Sequence, residues 1–400
     1  MVAVVTSCSN DEGGSLGGYK INPTDKISLS RSEEASLQQS ADFSLKLFNS
    51  AAENFDAVFK DTEDNNMSIS PISLQYAMAM VANCADQQTA GEITRAFGFN
   101  GTEEINSTSC KLMRYLAFRK ATGVEFSLAN SMWFADRFSI DPVVSGSLSE
   151  NYFADIYPVD FSKSSTVDKI NGWCSEHTNG LIDKFVEDLP STIEAAWYNA
   201  LYMRGEWNEK FDASLTKEAV FHGINGDSNV QMMSKVDGMY YAYGEDWQSV
   251  ALPFKGKDTF IYFVLPSDST NAVELSKKFS HEDYLSMVSH KSSHEVALKL
   301  PRFTVKSKSN LDVLLGLEGI NLEKCDFPAI VGSDAMNLYI DQKCFIEVNE
   351  EGAKIAAVTG VTGDSAVWPL QFVFDRPFLF FVVNRTTNTI LMGGRICDIR

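Results

Sequence analysis

The residues that could carry out chemistry are few and widely scattered. The chain has 5 His among 400 residues, and it contains no GxSxG, GxGxxG, Walker or HExxH motif. His290 and His294 lie four residues apart and could share one face of a helix, but no third ligand accompanies them. Asp and Glu are plentiful, yet no pair is marked out for acid–base work. The sequence therefore predicts neither an enzyme nor a metal site, and no cofactor.

The cysteines also lack a functional pattern. Apart from Cys8, they show no CxxC spacing and no Cys/His set suited to zinc. They are Cys84, Cys110, Cys174, Cys325, Cys344 and Cys397. Their apolar surroundings favour buried free thiols.

One segment near the C-terminus offers a different reactive group, a peptide bond. Residues 346–349 alternate as in a half-buried strand, whereas residues 353–366 contain no Leu, Phe, Tyr or Trp that could anchor them in a core. A loop of about twenty residues without structure of its own is usually functional. An exposed segment with the composition of a strand would normally be avoided, because it pairs edge to edge. We therefore interpret it as a segment that becomes a strand later.

Three separated motifs carry a family resemblance. They are Asn349-Glu-Glu-Gly352, Asp375-Arg-Pro-Phe378 and Met392-Gly-Gly-Arg395. Over residues 37–400 the chain resembles a serpin, which implies an α+β fold of about three β-sheets, one of them a large central mixed sheet, with about eight to nine surrounding helices. The resemblance also implies a monomeric inhibitor of serine proteases that acts as a suicide substrate, by inserting its reactive-centre loop, residues 350–374, into the main sheet.

The family pattern locates the reactive bond and the hinge of this loop. Counted forward from Gly352 or backward from Arg376-Pro377, the cleaved bond joins Ala366 to Val367. The implied hinge residues are Glu350, Gly352, Ala353, Lys354, Ile355, Ala356 and Ala357. In an inserted strand, alternate residues face the core, namely Ala353, Ile355, Ala357, Thr359 and Val361. No Pro interrupts residues 353–366, which favours insertion, although Ile355 is larger than the Ala usual at its position.

The residue before the reactive bond indicates the target. A small Ala366 suits elastase-like proteases, whose specificity pocket is small. Subtilisin-like serine proteases and papain-like cysteine proteases are alternative partners, and Thr362–Gly363 is an alternative bond. A serpin-fold binding or chaperone-like protein, cleaved as a plain substrate, is the alternative function; a hydrolase is disfavoured because no catalytic constellation occurs.

Two further groups of residues match positions where a serpin sheet must open. Ser70, Ser73 and Asn199 match the polar cluster, or shutter, beneath the middle of the main sheet, and Gln342 stands where the family usually has His. Because Gln both donates and accepts hydrogen bonds, the cluster can be kept. Trp207 matches the Trp at the breach, where the loop would enter. Ser70 before Pro71 also predicts a helix start.

The composition indicates one large domain and excludes several partners. A hydrophobic content of 44% with 27 Phe can fill a large core, and no repeat or linker divides residues 37–400. Residues 37–54 predict a first amphipathic helix, and by resemblance residues 142–157 would be the helix that crosses the sheet. A net charge of −19 argues against nucleic acid or an anionic membrane surface as partner, and no apolar run is long enough to span a membrane.

The N-terminus predicts a separate feature. Residues 1–8 are apolar with small residues before Cys8, and residues 9–36 form a polar, Gly- and Ser-rich tether. The segment resembles a truncated bacterial lipoprotein signal, in which Cys8 would be the lipid attachment site. The expected location is extracellular or at the cell surface, as on the outer membrane.

Overall fold

Helices and strands are interspersed along the described chain, with a run of helices early in it and a run of strands in its middle. The computed structural model describes residues 24–59, 64–118, 124–180, 182, 184–190, 192–289, 293–322, 325–332, 336, 338–352 and 369–400, and the backbone at 15–16 and 19–20. Its helices are Arg31–Glu53 (α1), Phe55–Val58 (α2), Pro71–Cys84 (α3), Gln87–Ala96 (α4), Thr102–Phe118 (α5), Pro142–Tyr152 (α6), Ser164–His177 (α7), Ala272–Lys278 (α8), His281–Val288 (α9) and Leu311–Leu317 (α10).

The strands of these described residues are mostly short. They are Ser15–Leu16 (β1), Tyr19–Lys20 (β2), Met67–Ile69 (β3), Val124–Ala135 (β4), Ser139–Ile140 (β5), Asp155–Val159 (β6), Ala195–Gly205 (β7), Lys217–Gly223 (β8), Gly226–Tyr243 (β9), Trp247–Pro253 (β10), Thr259–Pro266 (β11), His294–Pro301 (β12), Phe303–Asn310 (β13), Ile330–Val331 (β14), Leu338–Val348 (β15), Leu370–Val373 (β16), Phe378–Asn384 (β17) and Thr389–Ile396 (β18).

Three sheets organise the described chain. The main sheet has the order β13-β15-β7-β4-β6 and is mixed, because β15 runs parallel to β7 and β4 runs antiparallel to it. The long strand β9 joins the other two sheets. Its first part pairs with β8 and β12, and its last residues pair with β10 of the sheet that continues through β11, β17, β18 and β3. This α+β architecture confirms the predicted fold class.

The core lies on both sides of strand β17. Every residue of β17 is buried, as its continuous apolar sequence FLFFVVN predicts. On one side the ring of Phe381 contacts Phe48 of α1, with centroids 5.0 Å apart. On the other side Phe378 contacts Phe303 of the main sheet at 5.6 Å. Strand β17 is therefore covered on both faces.

Helix α1 begins earlier than the sequence analysis expected. Its first residue is Arg31, and Ser30 and Glu33 form a reciprocal capping box at its start. The buried Glu33 carboxylate also accepts two hydrogen bonds from Lys111 Nζ, at 2.7 and 2.8 Å. Residues 31–36, assigned to the flexible tether from sequence, therefore belong to the folded domain. The same holds for residues 24–30, where the Thr24 N–H donates to the Arg114 carbonyl and Ile27 and Leu29 pack against the core.

The helix that crosses the main sheet is α7, so the assignment of residues 142–157 was wrong. Helix α6 lies on the same face of the main sheet as α3. Asn130 of β4 donates to the carbonyl of Tyr152, the last residue of α6. Asp155 of β6 is in register with Ser131, the neighbour of Asn130, and therefore points to the opposite face. There it accepts a 2.8 Å hydrogen bond from Trp173 of α7.

Candidate functional site

The candidate site is the seam between the parallel strands β7 and β15, at the centre of the main sheet. Their ladder runs from Leu338 opposite Ala195 to Phe345 opposite Tyr202. Nearer the C-terminal ends of both strands, the loop after β15 closes the gap instead, because the Trp207 N–H donates to the Glu351 carbonyl and the Phe211 N–H to the Glu350 carbonyl. The two strands thus separate at one end of the seam.

A buried polar row crosses the seam at mid-height. Ser309, Gln342, Asn199 and Asn130 stand opposite one another on four adjacent strands, and all four side chains are buried. Asn199 Nδ2 donates to Asn130 Oδ1 at 2.6 Å. Within the described residues, the Oδ1 atom of Asn199 and the Oγ atom of Ser309 have no hydrogen-bond partner. Such unsatisfied buried atoms are costly.

Gln342 connects this row to the first turn of α3. Its Oε1 accepts from the Ser70 N–H and its Nε2 donates to the Ser70 carbonyl, both at 2.8 Å. The Ser70 hydroxyl donates to the Leu391 carbonyl at 2.7 Å and lies 2.9 Å from the Ser73 hydroxyl. The structure therefore brings Ser70, Ser73 and Gln342 together. Asn199 stands beside Gln342, but its side-chain amide donates a hydrogen bond to Asn130, a residue that the sequence analysis did not select.

The double hydrogen bond of Gln342 predicts a stability loss in the Gln342→Leu variant. Leu has a similar volume but cannot pair with Ser70, whose buried N–H would lose its partner and whose carbonyl would keep only the Leu74 N–H. We expect the free energy of unfolding in urea to fall by about 2–3 kcal/mol. Ser309→Ala is the matched control on the same row, because the Ser309 hydroxyl has no partner in the described chain. Equal stability of the two variants would contradict this account of Gln342.

Trp207 closes the open end of the seam. Its buried ring stacks on Phe254 with an interplanar angle of 6°, and its Nε1 donates to the Asn349 carbonyl at 2.8 Å. Gly352 lies against the same backbone with φ +84°, and a Cβ there would stand 2.3 Å from the Gly205 carbonyl oxygen. Only glycine fits this left-handed, close-packed position. Trp207, the residue assigned to the breach, thus lies directly against Gly352 of the assigned hinge.

Glu350 accepts hydrogen bonds from the side chains of Arg302 and Thr216, two residues that the sequence analysis did not select. Arg302 Nε donates to its two carboxylate oxygens at 2.9 and 2.8 Å, Arg302 Nη2 donates at 2.6 Å, and the Thr216 hydroxyl also donates to it. Burial by itself raises the pKa of Glu350, but the hydrogen bonds from Arg302 and Thr216 outweigh it and hold the pKa below its usual value of 4.5.

The remaining predicted site residues lie outside the described part of the chain. They are Ala353, Lys354, Ile355, Ala356 and Ala357 of the hinge, Ala366 and Val367 of the reactive bond, and Cys8. Within the described residues, no three His, Cys, Asp or Glu side chains are grouped to hold a metal ion, and none of the helices there is long and apolar enough to cross a membrane.

Comparison with known proteins agrees with this fold. Residues 38–399 match the family model described as serpin, serine protease inhibitor. Leukocyte elastase inhibitor A of Mus musculus is 30% identical over 87% of this chain and 97% of its own length, and Antichymotrypsin-2 of Bombyx mori is 29% identical over 84% and 92%. The native crystal structure of tengpin, a thermophilic serpin, superposes with a TM-score of 0.79 at 26% identity, covering 96% of this chain and 98% of tengpin.

The family match covers nearly the whole folded chain and describes a class of protease inhibitors, not of catalytic enzymes. The chain belongs to the serpin family. Protease inhibition, with a target protease as the partner, is the general function that this membership supports.

Proposed function

We propose that this protein is a suicide-substrate inhibitor that is cleaved between Ala366 and Val367 and then inserts residues 353 to about 364 between β7 and β15 as a new central strand. The observation that carries the proposal is the turn at the open end of the seam, where Asn349 and Gly352 form an antiparallel bridge. A strand that continued from this turn would run antiparallel to β15.

The bridge supports a definite register for the inserted strand. Continued along β15, it sets Ala353 opposite Val348, Ile355 opposite Ile346, Ala357 opposite Cys344 and Thr359 opposite Gln342. These four β15 residues are all buried, so the inward residues agree with those inferred from the sequence. Thr359 would then stand in the polar row between Gln342 and Asn199, where its hydroxyl can donate to the unpaired Asn199 Oδ1.

Cleavage of the loop would precede this insertion. The protease nucleophile bonds to the Ala366 carbonyl carbon, the carbon–nitrogen bond breaks, and the Val367 amine leaves with the proton from the nucleophile. The freed segment then exchanges one parallel ladder for two antiparallel ones and carries the acyl-enzyme across the sheet. Distortion of the oxyanion hole would stop water from releasing the protease. The uncleaved fold is therefore kinetically trapped and not the most stable state.

A protease with a small specificity pocket is the target that we propose. Ala366 fits such a pocket, and the similar mouse protein bears the name leukocyte elastase inhibitor A. Subtilisin-like serine proteases and papain-like cysteine proteases are further candidates.

The test is to mix the purified protein with pancreatic elastase and examine the products on denaturing gels. We expect an SDS-resistant complex and a released fragment that begins at Val367, identified by mass spectrometry. Complete cleavage with full protease activity would instead identify a plain substrate of that enzyme, as in a binding or chaperone-like serpin. If the cleaved chain showed no large rise in melting temperature, the insertion itself would be contradicted.

We also propose that Cys8 is a lipid attachment site and that the protein acts outside the cell or at its surface. The apolar residues 1–7 and the polar, Gly- and Ser-rich residues after Cys8 support this. Mass analysis of the N-terminal peptide from membrane-extracted protein would test it.

A further inference from the structure

An exposed sheet face lies beside the C-terminal end of the reactive loop. Strand β16, which follows the loop, pairs with β12, and β12 pairs with β9. Val236, Ala297 and Gln371 are in register on these three strands. Because Val296 and Leu298 of β12 point into the core, Ala297 between them points outward. The row is therefore on the solvent side of its sheet.

Side chains on this face are suited to contact another protein. Val236 is 59% exposed, unusually high for a Val within a strand. Glu295 and Lys299 are exposed and flank Ala297 on the outer side of β12, and the described residues form no ion pair with either of them. We call Val236, Glu295, Ala297, Lys299 and Gln371 the docking face.

The length of the loop determines what must cover this face. Three residues separate the Ala366–Val367 bond from Leu370, the first residue of β16, and they span at most about 11 Å. A protease of about 220 residues has a radius of gyration of about 17 Å. An enzyme holding this bond in its active site therefore cannot stand clear of the sheet, and its body rests on the residues around the start of β16.

We propose that the docking face is a second contact surface for the target protease, a proposal that rests on the proposed inhibitory function. Glu295 is adjacent to Val296, the partner of Leu370, and so lies at the end of the face nearest the reactive bond. Lys299 lies four residues further along β12, about 13 Å away. With a chain net charge of −19, the matching partner is a protease with a basic rim and an apolar patch that covers Val236.

The test measures how fast pancreatic elastase consumes full-length chains that carry Val236→Arg or Glu295→Lys. The second-order rate constant for loss of intact chain is defined whether the protease is trapped or turns over. We expect each variant to lower it about tenfold at low ionic strength, and the Glu295→Lys effect to shrink in 0.5 M NaCl. Val220→Arg is the matched control. Val220 is 42% exposed on β8 of the same sheet, and its partner Asn229 lies seven residues from Val236 along β9, about 23 Å away.

The outcomes separate the two proposals. Rate constants equal to wild type for both docking-face variants would overturn the docking face while leaving the inhibitory function intact. Slower consumption of both, with Val220→Arg unchanged, would support the docking face even if gels showed free protease and no trapped complex. That second pattern would contradict only the trapping mechanism. No cleavage of any chain would contradict both proposals.

Discussion

A Thr359→Arg variant should still be cleaved between Ala366 and Val367 but should no longer trap the protease. In the register set by the Asn349–Gly352 bridge, residue 359 enters the buried polar row opposite Gln342. An Arg there would need a carboxylate or several acceptors, and the row offers only amide and hydroxyl groups. Burying an unpaired charge costs about 3 kcal/mol or more, which slows insertion about 100-fold.

Slower insertion leaves time for deacylation, so the variant should change the stoichiometry of inhibition. We expect the SDS-resistant complex to disappear, and the number of inhibitor molecules consumed per protease to rise by about two orders of magnitude. The cleaved variant should also lack the rise in melting temperature. Ala356→Arg is the control, because residue 356 would stand opposite Phe345 on the other face of the sheet, where the exposed Lys306 side chain already lies over the Phe345 ring. If Ala356→Arg abolished trapping and Thr359→Arg did not, the register would be one residue out.

Local patterns in the sequence predicted the parts of the fold that depend on neighbouring residues. Ser70 followed by Pro71 indicated a helix start, and Ser70 caps α3 by accepting from the Ser73 N–H. The run FLFFVVN of β17 is likewise typical of a strand covered on both faces, and every residue of that strand is buried. The start of α1 was also readable, because Ser30 and Glu33 have the spacing of a capping box, but the Gly- and Ser-rich segment before them led to its being placed in the tether.

The contacts that sequence reasoning missed join residues far apart in the chain. Asn130 meets Asn199 only because β4 and β7 pair in one particular register, and a single Asn in an apolar strand does not reveal that register. Arg302 directly follows strand β12, which ends at Pro301, and its sequence context does not distinguish it from an ordinary surface arginine. Residues 142–157 were assigned to the helix that crosses the sheet by resemblance alone, and the helical pattern of a segment does not show which face of a sheet it covers.

An Arg302→Ala variant should be less stable than Glu350→Ala, although both remove the same ion pair. The Glu350 residue is only 5% exposed, so losing Arg302 leaves a buried carboxylate with the Thr216 hydroxyl as its remaining described side-chain donor. The Arg302 side chain is 46% exposed, so after loss of Glu350 its guanidinium can be hydrated. We expect losses of about 3 and about 2 kcal/mol respectively in urea unfolding, with the double variant close to Glu350→Ala.

The same pair should make the open end of the seam sensitive to acid. Because the pKa of Glu350 is lower in the folded state than its usual 4.5, its contribution to stability is complete above pH 4.5 and is lost as the pH falls through the folded-state value. Wild type should therefore lose stability faster than Glu350→Ala below pH 4.5. At neutral pH, both single variants should insert the uncleaved loop faster on warming, since Glu350 holds the turn from which the inserted strand would start. Parallel stability curves for wild type and Glu350→Ala from pH 7 to pH 3 would show that this pair does not fasten the seam.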